Sequence, residues 1–91
     1  MTKSLNINST VKVKLTEFGK KMLKGDHNEF WGSLGVLEDH PYIPMEEDEN
    51  GYVEFHLWVL MNKLGKYCWI GREMPFETII LIDEKDLRDV E

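Results

Sequence analysis

The chain has 91 residues, 42% of them apolar and 31% charged, with Cys68 as its single cysteine. That length leaves room for one domain, residues 1–91, with one modest core, and a lone cysteine excludes an internal disulfide or a cysteine-rich zinc site. Residues 1–24 carry six lysines against Glu17 alone and residues 25–91 sixteen acids against five basic residues, so +5 and −11 give the net −6; this acidic remainder repels nucleic-acid phosphates and invites basic surfaces.

Residues 1–9 (MTKSLNINS) are polar, lack the apolar core of a secretory signal, and are expected to be frayed or lightly paired. Val11, Val13 and Leu15 then alternate with Lys12 and Lys14, the period of a half-buried strand with a lysine-bearing outer face. Thr16 is placed to cap a helix, and Glu17 sits in the first turn, where the helix dipole favours a carboxylate. Phe18, Met22 and Leu23 form the apolar stripe of that helix, Lys20, Lys21 and Lys24 face water, and Gly25 is a natural stop. Residues 26–37 read equally as a short helix or a compact loop, because Gly32 and Gly35 interrupt Phe30, Trp31, Leu34, Val36 and Leu37. Residues 38–51 (EDHPYIPMEEDENG) are a connection closing on an Asn50-Gly51 reversal.

Residues 52–64 alternate as a strand from Val53, and also fit a helical stripe at Val53, Leu57, Leu60, Met61 and Leu64. Length and the following Gly65 favour a helix over His56–Leu64, with Tyr52–Phe55 as a short strand leading into it. Beyond a loop at 65–76 rich in glycine and aromatics, Thr78–Ile82 is the strongest strand of the chain. Its unbroken apolar run predicts burial on both faces, in the middle of a sheet. The tail at 84–91 is acidic and, like 1–9, is a candidate flexible end, with Leu87 and Val90 as anchors. Together these elements predict a small α+β fold: a mostly antiparallel sheet of about two to four strands covered by two helices. The predicted core is Val11, Val13, Leu15, Phe18, Met22, Phe55, Leu57, Leu60, Met61, Leu64, Ile79 and Leu81.

Motifs of catalysis and ligation are weak. His27, His40, His56 and Cys68 show no metal-binding spacing. The run Tyr67-Cys68-Trp69-Ile70 is apolar, which raises a thiol pKa and leaves it inert. No phosphate-binding glycine loop is present. The four consecutive acids Glu46, Glu47, Asp48 and Glu49 lack the alternation of a calcium loop; they suit a solvated loop or a docking patch for a basic protein surface. Lys12, Lys14, Lys20, Lys21 and Lys24 lie on an adjacent strand and helix. With Arg72 they could form a basic pocket for a small anionic ligand such as a signalling nucleotide. Trp58 and Trp69 are candidate interface anchors, since tryptophan left at a surface is favoured there. No apolar run approaches the roughly 20 residues of a membrane span, and a reducing cytoplasm is the simplest compartment.

Three segments, VKVKLTEFGKKML at 11–23, GYVEFHLWVLMNKLG at 51–65 and PFETIILI at 75–82, occur in an order that resembles small bacteriophage- and prophage-encoded proteins of unassigned function. Shared features are a strand entering a helix through Lys-Leu-Thr, an acidic loop ending in glycine, an aromatic Phe-x-Leu-Trp-x-Leu-Met helix closed by glycine, and a Pro-Phe-Glu lead into an apolar strand. Val59 stands where a polar residue is expected. The resemblance covers roughly half of the chain and implies a mobile-element origin. Small acidic phage proteins commonly bind and inhibit host factors, defence systems included. The leading expectation is therefore a non-enzymatic protein without cofactor that binds a host protein through residues 46–49 and exposed aromatics. Two other expectations stand beside it: a small-ligand binder, and a virion or replication accessory protein acting through self-assembly as a homo-oligomer.

Overall fold

A computed structural model describes residues 1–69 and 71–90; Ile70, counted above among the apolar neighbours of Cys68, and Glu91 of the acidic tail lie outside the described residues. In chain order the elements are β1 (Lys3–Leu5), β2 (Thr10–Val13), α1 (Glu17–Ser33), β3 (Val53–His56), α2 (Leu57–Leu64), β4 (Leu81–Ile82) and β5 (Leu87–Asp89), with single 3-10 turns at Leu37–Asp39, Gly65–Tyr67 and Glu84–Asp86. The strands form two small antiparallel sheets, β1-β5 and β3-β2-β4, so the chain is an α+β fold of small sheets and two helices. Among the described residues no helix is long and apolar enough to cross a membrane.

The core follows from the two-residue period of β2 and β3. Val11 stands opposite Phe55 and Val13 opposite Val53, and all four are buried. Lys12 stands opposite Glu54 on the other face, where both are exposed. Leu23 of α1, Leu60 and Leu64 of α2, and Phe76 complete the buried cluster. Leu15 and Leu57 pack partly buried against it, while Phe18 meets Tyr67 edge-on with ring centroids 6.0 Å apart.

Four expectations are corrected. Gly25 does not end α1, which continues to Ser33 and turns most of the ambiguous 26–37 stretch into helix. The stop is Gly35, at φ 73°, where its N–H reaches the Gly32 carbonyl (3.0 Å) and the Val36 N–H reaches that of Trp31 (3.2 Å). Glycine ends a helix when it takes this left-handed conformation, and Gly25 does not take it. Second, Thr78–Ile82 is neither central nor buried: only Leu81–Ile82 pair with β2, at the sheet edge, and β2 is the central strand. Leu15 bridges Phe76 while Lys12 pairs with Leu81, so three steps along one strand face five along the other. The two surplus residues form a bulge that lifts 78–80 off the ladder. Third, Ile79, Leu81 and Met61 are exposed, and Leu23, Val53 and Phe76 take their places in the core. Fourth, His56 ends β3 and the helix starts at Leu57.

Residues 1–9, expected to be frayed or lightly paired, and the tail at 84–91, read as a candidate flexible end, contribute the two strands of the β1-β5 ribbon, in which Lys3 stands opposite Asp89 and their side chains pair.

Candidate interaction site

Residues 46–49 come to lie against the lysine-bearing strand and helix. Lys12 Nζ is 3.6 Å from Asp48 Oδ2, and Lys20 Nζ is 3.4 Å from Glu47 Oε1 and 3.6 Å from Glu17 Oε1. Lys14 Nζ sits over the Tyr52 ring, 5.1 Å from its centroid. The acidic docking patch and the basic strip, read as rival sites, are thus two halves of one seam that partly neutralises itself. Asp48 also builds the turn that closes the segment. Its Oδ1 accepts the backbone N–H groups of Asn50 and Tyr52, each at 2.9 Å, and its own N–H donates to the Tyr52 carbonyl at 2.8 Å. The Tyr52 N–H above all holds the Asp48 carboxyl below its ordinary value; burial opposes it as the next largest effect, and the Asn50 N–H and then the Lys12 charge add to the lowering. The hydrogen bond and charge of Glu47, then the charge of Glu17, hold the Lys20 ammonium above its own. Among the described residues Glu46 and Glu49 make no ion pair, nor do Lys21 and Lys24.

Beside the seam lies an open groove of about 430 Å³, lined by Leu15, Tyr42, Pro44 and Met45 together with Lys20, Lys21 and Lys24. Glu17 and Glu47 also line it. Arg72 does not join them: its guanidinium lies over the Trp69 ring, 5.7 Å from the centroid.

Trp58 and Trp69 are 47% and 58% exposed. Trp58 stands in the first turn of α2, and its backbone N–H donates to the Ile7 carbonyl (3.1 Å), which brings exposed Ile7 to the end of the helix that carries exposed Trp58 and, one helical turn on, exposed Met61. Trp69 is more constrained, since its indole Nε1–H donates to the Lys66 carbonyl (3.0 Å). The Cys68 thiol donates to the Leu64 carbonyl (3.5 Å), and burial pushes its pKa up.

One cluster escaped the sequence reading. The His40 ring stacks on Trp31 (centroids 4.0 Å apart, 19° between planes), its carbonyl lies 2.7 Å from His27 Nε2, and the His27 ring meets Tyr42 at 5.4 Å. This cluster straps 37–42 to the distal half of α1. His27 and Trp31 stand four residues apart, one face of a helix, which becomes visible once α1 is extended past Gly25. His56 lies elsewhere, with Nδ1 2.8 Å from the Asn8 carbonyl. Among the described residues no three His, Cys, Asp or Glu side chains gather to hold a metal.

Compared with protein-family models, with curated proteins and with solved structures, the chain finds no match.

Proposed function

We propose that this chain works by binding another protein rather than by turning over a substrate, and that the partner is a host protein which it inhibits, as the phage resemblance suggests. The supporting observation is surface in excess of size. The accessible area is 7042 Å², whereas a folded monomer of 10.7 kDa exposes roughly 5,500 Å². The surplus exceeds the ~800 Å² that each side of a standard interface contributes, and many large apolar side chains are exposed, Ile7, Trp58 and Met61 among them. Trp58 is the anchor of this reading, because a tryptophan in a desolvated contact supplies more affinity than most side chains. Glu46 and Glu49, which make no ion pair among the described residues, serve to steer a basic surface toward it. Co-purification from host extract tests this: Trp58→Ala is expected to weaken capture at least about tenfold, and Glu46→Lys with Glu49→Lys to slow association more than dissociation. Capture unchanged by all of these in folded protein would remove the site.

The groove beside the seam favours a second reading, a ligand with an apolar body on Tyr42, Pro44 and Met45 and an anionic group on Lys21 and Lys24, the chemistry of a nucleotide. Native mass spectrometry after incubation with host extract would then show a small-molecule adduct that Lys21→Glu with Lys24→Glu abolishes.

A further inference from the structure

Thr78–Ile82 has the composition of a strand from the middle of a sheet and stands at its edge. β4 is bonded to β2 on one side only. Ile79, Ile80, Leu81 and Ile82 are 37–69% exposed, and among the described residues no backbone hydrogen bond involves residues 78–80. Open backbone donors and acceptors beside exposed β-branched side chains are what an added strand satisfies. The flanks of this edge are acidic: Glu77 precedes it, and Asp83, Glu84 and Asp86 follow. Lys85 does not offset them all, because it is held 3.8 Å from Asp83.

We infer that the β4 edge receives an extended segment of the partner protein, apolar at its centre and carrying lysine or arginine at its ends. The inference rests on the protein-binding reading and names the form of the contact. Main-chain hydrogen bonds supply affinity, the central side chains cover Ile79–Ile82, and the basic ends meet Glu77 and Glu84. A second copy of the chain is the poorer occupant. Antiparallel self-pairing about Ile80 sets Glu77 of one copy against Asp83 of the other, like charges directly opposed. The Glu84–Asp86 turn stops the register from sliding on to Lys85.

The test uses the intact protein and a short peptide, Val-Ile-Val flanked by lysines, with a glutamate-flanked counterpart. Hydrogen exchange of the 79–82 amides is expected to slow at least about tenfold with the lysine peptide, and the glutamate peptide to bind at least about tenfold more weakly. Ile80→Pro removes a donor that the fold does not use and is expected to abolish the protection. Ile79→Lys, which keeps every backbone donor, is expected to do the same by repelling the lysine ends. Absence of protection, equal protection by both peptides, or protection that survives in the variants would overturn the inference. So would protection without peptide that grows with protein concentration, which would seat a second copy there. Host-protein capture that persists in Ile80→Pro and is lost in Trp58→Ala would sink the strand edge and leave the protein-binding reading standing; capture by no form would remove that reading itself.

Discussion

A methyl group on Gly19 would lie 1.8 Å from the Pro75 carbonyl oxygen, whereas one on Gly25 would meet nothing within 4 Å. The two glycines stand in one helix and give opposite expectations. Gly19→Ala forces the backbone of 74–76 off α1 and is expected to cost about 3 kcal/mol or more. Gly25→Ala removes backbone freedom from the unfolded chain without strain and is expected to stabilise by about 0.5–1 kcal/mol. Thermal melting of the two variants decides both. The same junction explains Thr16, legible as a cap but not as a tether. Its Oγ1 accepts the Gly19 N–H (3.1 Å) and also donates to the Met74 carbonyl (2.5 Å), a partner 58 residues away that no local pattern discloses. Asp48 belongs to this scale too. Its carboxyl titrates below 3.8 in the fold, so its contribution to stability is present above the unfolded value and is lost as pH falls through the lower, folded one. Asp48→Asn is therefore expected to flatten the acid side of the stability profile, measured as melting temperature against pH. Lys20 has the opposite sign: its raised value gives a contribution lost only as pH climbs past 10.5 and through the folded value.

Strand β2, the start of α1 and helix α2 were readable because each carries its own signal: strict alternation at 11–15, a capping threonine, and a stripe at Leu57, Leu60 and Leu64. Leu60 is buried in the shared core, and Leu60→Ala is expected to cost about 2–5 kcal/mol, checked by denaturant unfolding. The errors fall where two elements compete for one pattern. Gly25 resembles a stop, but the terminating geometry needs a left-handed residue with two N–H groups turned back on the last turn, and only Gly35 supplies it. Thr78–Ile82 reads as interior because apolar runs usually are; its bulge arises from the mismatch between the Phe76 bridge and the Leu81 pairing, which depends on long-range register and is invisible locally. The seam between Lys12, Lys20 and residues 47–48 was missed for the same reason. Charge counts show how much of each sign there is, while the return of 42–48 past α1 decides which charges cancel.

At the scale of the whole molecule a small buried core, Val11, Val13, Val53, Phe55 and Leu64 among it, holds a body of 51 × 29 × 27 Å with a radius of gyration of 15.3 Å, against about 12 Å for a compact domain of this length. Such elongation leaves more surface than the core alone can justify, and that surplus is what supports the proposed binding role. The α+β class was legible from the elements; the shape was not, because it depends on the two ends of the chain pairing with each other as β1 and β5. Residues 3 and 89 are cross-strand neighbours, and the Val90 N–H donates to the Thr2 carbonyl at 3.2 Å. A few glycines and serines could therefore join the two ends into a ring, with a new start opened in the exposed stretch near Ile43 and Pro44. Such a circular permutant should keep the native circular-dichroism spectrum, and it would let a fluorophore or affinity handle be carried away from the ribbon, beside the seam.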